Sequence, residues 1–169
     1  MSNSAQDVQQ ILKHRAKRYF QSNSREVTST TEYLTFRRAD TTFAVSVTEL
    51  QDVHPAPELV TLPLIASHII GVVPVRGEIT AIYDLYQFLY KSQLDTVNDL
   101  YLIRGGASMA NMALAADELL SVIELRESDI RPLPVSLSGC TSYLKGITAD
   151  EEIVVSFNGL HNNKPFFKA

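Results

Sequence analysis

The sequence has few of the residues on which disulfides, metal clusters and membrane spans depend. Of its 169 residues only Cys140 is a cysteine, which excludes an internal disulfide and a cysteine-based metal cluster and fits a reducing compartment. No run approaches the length of about 18 apolar residues that a membrane helix needs. The polar start of the chain lacks the basic-then-apolar order of a signal peptide. We therefore expect a soluble, cytoplasmic protein.

The chain also lacks an excess of positive charge. Lys and Arg number 15 and Asp and Glu 19, so the net charge is −4, which gives no general attraction to nucleic acid or to anionic membranes. A nucleic-acid surface needs clustered basic residues with stacking aromatics. Arg37 and Arg38 are the only basic pair in the β-rich part of the sequence. We expect no nucleic-acid partner.

Catalytic and cofactor motifs are absent as well. The sequence has no H-E-x-x-H, no G-x-G-x-x-G after a strand, no Walker lysine and no G-x-S-x-G, so we predict no cofactor, no metal site and no catalytic residue. The four histidines occupy four separate segments: His14, His54, His68 and His161. One enzymatic alternative remains, a thiol nucleophile at Cys140 approached by a histidine such as His68. Asp84 and Asp117 each follow an apolar run and are predicted to cap turns.

Residues 1–31 are predicted to be a basic amphipathic helix, Ser4–Gln21, followed by a polar linker. Apolar residues recur there at helical spacing: Val8, Ile11, Leu12, Ala16, Tyr19 and Phe20. Such a helix either packs on its own domain or docks on a partner or an anionic membrane.

From Tyr33 onward the pattern is that of short β-strands. Tyr33–Arg37 and Phe43–Val47 predict a first hairpin, and a proline-punctuated crossing segment follows. The apolar runs Val72–Val75 and Ile79–Leu85 flank Arg76-Gly77-Glu78. Because Gly tolerates a positive φ, this stretch predicts a second hairpin. Arg76 would stand at its rigid tip, either as a recognition residue or as a solvated arginine.

The second half of this region repeats the order of the first. The pairings include Tyr33 with Tyr101, Leu50 with Leu119, Gly71 with Gly146 and Ile79 with Ile153. A duplicated set of short strands with regular turn signals predicts an all-β protein of two similar, pseudo-symmetric antiparallel barrels. We place subdomain one at about 32–95, subdomain two at about 96–160 and a C-terminal tail at 161–169.

Several of these motifs together resemble the CheW-like coupling proteins of bacterial chemotaxis. The stretch Gly71–Leu85, G-V-V-P-V-R-G-E-I-T-A-I-Y-D-L, is similar to the family's G-V-x-N-L-R-G-x-I-x-P-I-x-D-L. The run L-Q-D-V at Leu50–Val53 resembles the family's V-x-E-I-like run, and Y-L-K-G-I at Tyr143–Ile147 follows in the family's order. The resemblance covers Tyr33 to about Leu160, and we place the CheW-like domain at 32–169. Pro74 and Ala81 stand where the family usually has Asn and Pro.

This resemblance implies two SH3-like β-barrels and no catalysis. It also implies an adaptor that bridges the cytoplasmic tip of a methyl-accepting chemoreceptor to the regulatory domain of a CheA-type histidine kinase, with membrane contact only indirectly through receptors. Carried over residue by residue, it assigns partner binding to Arg76, Asp52 and Leu50, with Val75 and Gly77 beside the arginine. An alternative is a CheW-like scaffold of another signalling or pilus-motility system, targeted by its N-terminal helix.

Overall fold

A computed structural model of the protein describes residues 8–11, 29–63, 65–94 and 99–167. From residue 29 onward these ranges contain ten β-strands in two five-stranded sheets, with three short α-helices, so the all-β class is confirmed. The strands are β1 (Thr31–Arg38), β2 (Thr41–Ser46), β3 (Leu50–Pro55), β4 (Ile69–Val75), β5 (Glu78–Tyr83), β6 (Tyr101–Gly105), β7 (Met112–Ala116), β8 (Glu118–Leu125), β9 (Leu144–Ile147) and β10 (Ile153–Val155). The helices are α1 (Leu85–Tyr90), α2 (Phe157–His161) and α3 (Lys164–Phe167).

The two sheets have the same strand arrangement, and each contains strands from both sequence repeats. Sheet A has the order β8-β1-β2-β10-β9 and sheet B the order β3-β6-β7-β5-β4. Each sheet combines the hairpin of one repeat with the last three strands of the other, because β1 and β2 join β8–β10 while β6 and β7 join β3–β5. The predicted subdomain boundary near residues 95 and 96 lies outside the described residues. The strands on either side of it contribute to both sheets.

The sheets are open in their hydrogen bonding. Within the described ranges β8 and β9 form the edges of sheet A, and β3 and β4 form the edges of sheet B. No ladder joins one edge of a sheet to its other edge in this part of the chain. The SH3-like barrel form is therefore a prediction that the strand pairing does not confirm.

The strand registers define which residues of the two repeats are equivalent. Leu34 lies opposite Val45 and Val122, and Ile103 lies opposite Leu114 and Val53. Leu34 is thus equivalent to Ile103, which corrects the predicted pairing of Tyr33 with Tyr101 by one residue. The same comparison keeps the pairing of Leu50 with Leu119 and moves the partner of Ile153 from Ile79 to Ala81. Alternation alone could not fix these one- and two-residue offsets, because both faces of the strands carry apolar residues.

Gly71 and Gly146 occupy matching places at which a crossing segment touches a sheet edge. Val60 exchanges two backbone hydrogen bonds with Val72, at 3.0 and 2.9 Å, and Arg131 does the same with Ile147, at 2.8 and 2.9 Å. A Cβ atom at Gly71 would lie 2.5 Å from the Val60 carbonyl oxygen, and one at Gly146 would overlap the Arg131 carbonyl. Glycine at both positions is therefore required by the close approach of the backbone.

The C-terminal segment is part of the core. Phe166 is fully buried, and its ring stacks on Tyr83 with the centroids 4.7 Å apart. It also meets Phe88 edge-on at 4.9 Å. The buried imidazole of His68 is hydrogen-bonded through Nε2 to the backbone carbonyl of Phe166 at 2.8 Å. Residues 164–167 thus pack against sheet B and α1.

Only residues 8–11 of the predicted helix Ser4–Gln21 belong to the described part, and they are helical. Val8 is buried in the main core, and Gln9 Nε2 donates to the Val53 carbonyl of β3 at 2.7 Å. These contacts agree with packing on the protein's own domain. None of the helices in the described ranges is long and apolar enough to cross a membrane.

Candidate functional site

The hairpin between β4 and β5 carries the predicted site at its turn. Arg76 and Gly77 form the two-residue connection, with φ values of 51° and 84°. Two positive φ values in a two-residue hairpin are typical of a type I′ turn, whose twist matches that of the flanking strands. Gly adopts this conformation freely, but for a non-glycine residue it is unfavourable by about 1–2 kcal/mol. The chain therefore holds an arginine at a position where asparagine is the favoured residue.

Arg76 lies on the surface but is tied to a buried carboxylate. Its side chain is 68% exposed, and its Nη2 atom lies 3.4 Å from Oδ2 of Asp52, whose side chain is 8% exposed. Asp52 belongs to β3 at one edge of sheet B, whereas β4 forms the other edge. Three strand spacings separate β3 from β5, about 14 Å in a flat sheet. The ion pair thus links the turn of the β4–β5 hairpin to the edge strand β3 on the other side of sheet B.

A second arginine, Arg104, approaches the same carboxylate from within the sheet. It is the cross-strand neighbour of Asp52, is 1% exposed, and places Nη1 at 3.5 Å from Asp52 Oδ2. Its Nη2 atom donates to Gln51 Oε1 at 3.3 Å. His54 Nε2 lies 3.9 Å from Asp52 Oδ1. Asp52 is therefore surrounded by two guanidinium groups and an imidazole.

The polar atoms of this cluster are incompletely paired. Both carboxylate oxygens of Asp52, Nε and Nη1 of Arg104, and Nε2 of His54 are buried and form no hydrogen bond within the described residues. Asp52 is held by two arginine ion pairs at 3.4 and 3.5 Å and approached by His54 Nε2 at 3.9 Å, all beyond ordinary hydrogen-bond length. Such sites are rare in folded proteins and call for a reason other than stability.

The remaining predicted contact residues have different surroundings. Val75 is buried in the smaller core of sheet B, and Leu50 is partly buried against the main core. Neither offers a broad apolar surface. The exposed apolar surface of the hairpin belongs to Pro74 and Ile79, which are cross-strand partners, and Ile79 is 71% exposed. Sequence reasoning did not assign these two residues, although Ile79 on an outward-facing strand position was the available signal.

A second charge cluster, at the start of α1, is structural. Arg38 is buried and donates to Asp84 Oδ2 through Nε at 2.9 Å and through Nη2 at 2.6 Å, and to Asp117 Oδ1 at 2.5 Å. Burial lowers the pKa of the Arg38 guanidinium, but the hydrogen bonds and charges of Asp84 and Asp117 raise it above its usual value. Asp84 also caps α1 by accepting from the Gln87 amide at 3.1 Å. Asp84, predicted to cap a turn, thus caps a helix, and Asp117 accepts from the amide of Ala39 in the turn between β1 and β2.

The thiol alternative finds no geometric support in the described residues. Cys140 is partly buried against the main core, and no hydrogen bond joins it to His68, whose Nε2 is engaged with Phe166. Within the same ranges no group of three or more His, Cys, Asp or Glu side chains is placed to hold a metal ion.

Comparisons with known proteins give a family match, a related sequence and a similar fold. Residues 32–160 match the CheW-like domain. The chain is 28% identical to protein FrzA of Myxococcus xanthus over 116 residues, which cover 69% of this chain and 72% of that protein. Its fold is similar to the crystal structure of the scaffolding protein TtCheW from Thermoanaerobacter tengcongensis, with a TM-score of 0.62 and 19% identity over 76% of this chain and 88% of the other.

Proposed function

The chain belongs to the CheW-like domain family, and from this premise we propose that it is a non-enzymatic adaptor that couples a chemoreceptor to a CheA-type histidine kinase. The observation that carries the proposal is the presentation of Arg76. An exposed guanidinium stands on a rigid two-residue turn in an unfavourable backbone conformation and is oriented by the carboxylate of Asp52. Residues held in such conformations concentrate at functional sites. The relative TtCheW is described as a scaffolding protein, which supports the same class of function.

The partner contact is proposed to combine one charged and one apolar element. A guanidinium binds a carboxylate through two parallel hydrogen bonds, so Arg76 suits an acidic residue on a receptor helix or on the kinase regulatory domain. Pro74 and Ile79 lie beside it as exposed apolar neighbours. Such residues supply contact area around a charged centre.

The other predicted site residues lie in the hairpin or in β3 and are not proposed to touch the partner. Gly77 completes the turn, and Val75 anchors the hairpin in the smaller core. Leu50 lies next to Gln51 at the base of the Asp52 cluster. In this proposal Arg76 touches the partner, Asp52 orients Arg76, and Val75 and Gly77 hold the hairpin, while Leu50 packs β3 against the main core. The protein would act in the cytoplasm at receptor arrays, with each sheet forming an SH3-like barrel.

Replacing Arg76 with glutamate is expected to weaken binding of the receptor tip or of the kinase regulatory domain by at least about 30-fold, the loss typical of an interface hot spot of about 2 kcal/mol. Because the side chain is mostly exposed, circular dichroism and the thermal unfolding temperature should stay close to those of the wild type. Binding is measured by isothermal titration calorimetry with each partner domain separately.

Arg76→Asn is the matched control for the turn. Asn-Gly is the favoured pair for a type I′ connection, so this variant should unfold at or slightly above the wild-type temperature while still losing binding. Wild-type affinity of Arg76→Glu for both partners would show that the hairpin arginine is not the contact.

A further inference from the structure

The two sheets contain the same irregularity at equivalent places. In sheet B the register between β3 and β6 shifts between Leu50 and Asp52, leaving Gln51 without a cross-strand partner. In sheet A the register between β1 and β8 shifts so that Leu120 is the unpaired residue. Each sheet therefore has a β-bulge in its edge strand at the same step of the repeat, a feature that redirects the neighbouring side chains.

Next to its bulge, sheet A has a neutral pair whose hydrogen bonds are complete. Thr35 lies opposite Ser121 and is 1% exposed. Its hydroxyl donates to the Ser121 carbonyl at 3.0 Å and accepts from the Ser121 amide at 3.1 Å. The two hydroxyl oxygens are also 3.1 Å apart. A neutral pair of small polar residues is thus sufficient to complete the hydrogen bonding beside the bulge.

In sheet B the equivalent pair is Arg104 opposite Asp52, and it is charged and unsatisfied. Among the residues that the structure describes, neither oxygen of Asp52 accepts a hydrogen bond, and Nε and Nη1 of Arg104 donate none. Because sheet A builds the same bulge from threonine and serine, the fold does not require an ion pair there. A buried ion pair is weak evidence of stability, so stability alone does not account for the charged pair in sheet B.

We propose that Arg104 is a positioning residue, a buried second counter-ion for Asp52 that lets Arg76 leave this carboxylate and engage a partner. Arg76 and Arg104 lie at nearly equal distances from Asp52 Oδ2, 3.4 and 3.5 Å. Neither contact has the length of a firm hydrogen bond. If Arg76 were the only counter-ion, its movement to a partner would leave the buried carboxylate of Asp52 without a positive charge beside it. With Arg104 present, Asp52 stays compensated when Arg76 moves outward.

The first test needs no partner, so it is independent of the adaptor role on which this inference otherwise rests. The unfolding equilibrium constant is measured in urea for Arg76→Asn, Arg104→Thr and the double variant. Threonine is the residue that sheet A has at the position of Arg104. Arg76→Asn alone should have a small effect, because Asp52 keeps Arg104. In the Arg104→Thr background the same change should raise the unfolding constant at least tenfold.

A third substitution identifies Asp52 as the origin of this coupling. Adding Asp52→Ser to the double variant installs the Thr–Ser pair of sheet A and should remove the excess destabilisation. Additive effects of Arg76→Asn and Arg104→Thr, or coupling that persists after Asp52→Ser, would overturn the proposal. If Arg104→Thr does not fold, Arg104→Gln removes the charge with less loss of volume and is read in the same way.

The second test measures partner binding. Arg104→Thr should weaken binding of the receptor tip or kinase domain about tenfold, because Asp52 then holds Arg76 more firmly. It should have no further effect in the Arg76→Asn background, since Arg104 acts through Arg76. Unchanged binding in Arg104→Thr, where Arg76→Asn does lose binding, contradicts the inference. Unchanged binding in Arg76→Asn contradicts the proposed function instead, while the stability test still decides the role of Arg104.

Discussion

Replacing Arg38 with methionine is expected to lower the free energy of unfolding by about 3–5 kcal/mol, because it removes one partner from a buried ion cluster and leaves a carboxylate uncompensated. Asp84 is fully buried and receives two of its hydrogen bonds from the Arg38 guanidinium. Methionine fills much of the same space without charge, so the loss of stability measures the ion pairs of Arg38 rather than its packing. The chain has no tryptophan, so urea unfolding is best followed by circular dichroism.

The neighbouring residue gives the matched control. Arg37 points to the other side of β1, where its guanidinium pairs with Glu118 and both side chains are about half exposed. Arg37→Met should change stability by less than about 1 kcal/mol, as exposed ion pairs do. Adding Asp84→Asn to Arg38→Met should recover part of the loss, since asparagine still caps α1 and carries no charge. Equal unfolding midpoints for Arg37→Met and Arg38→Met would contradict the assignment.

Replacing Phe166 with alanine is expected to destabilise the protein by about 3–5 kcal/mol, the usual range for deleting a buried aromatic ring. The ring stacks on Tyr83 and meets Phe88 edge-on, and its backbone carbonyl is bonded to His68. Alanine at this position leaves a cavity lined by aromatic side chains. The loss should appear as a lower urea midpoint with an unchanged slope.

Phe167 is the adjacent control for this prediction. It is 37% exposed and touches Tyr83 only edge-on, so Phe167→Ala should lower stability by about 1 kcal/mol. If Phe166→Ala proved no more harmful than Phe167→Ala, the C-terminal segment would be only loosely attached to the core in solution.

The local structure of the site was predictable from sequence because the turn chemistry is local. Arg76-Gly77 between two apolar runs indicates a hairpin, and the structure has a two-residue turn there. The strand after it was predicted to continue to Leu85, but β5 ends at Tyr83 because Asp84 caps a helix. Asp84 was predicted to cap a turn, whereas it caps the helix that follows β5.

The buried arginines were not predictable in the same way. Arg104 stands in an apolar strand and Arg38 ends another, and a single arginine is ordinarily assigned to the surface. What buries them is pairing between distant strands: Arg104 meets Asp52 across β3 and β6, and Arg38 meets Asp84, 46 residues away. Periodicity specifies which face a side chain occupies, but it does not specify the partner strand.

The exchange of hairpins between the two sheets was also not predictable, because periodicity does not specify the partner strand. The repeat was visible in the sequence, and it suggested that each half would build its own sheet, since consecutive strands are usually neighbours. In the structure β1 pairs with β8, so that Thr35 bonds to Ser121, 86 residues further along. The internal similarity predicted the two matching sheets but not how their strands are shared between the halves.

This sharing has a consequence for how the protein assembles. Neither half of the chain holds all the strands of one sheet, so each half alone would expose unpaired strand edges and half-covered apolar faces. We therefore expect the two sheets to form together in one cooperative transition. Because its contacts join distant segments, that event should be slow compared with the closing of a single hairpin. The two repeats are thus expected to unfold as a single unit, because each sheet takes strands from both.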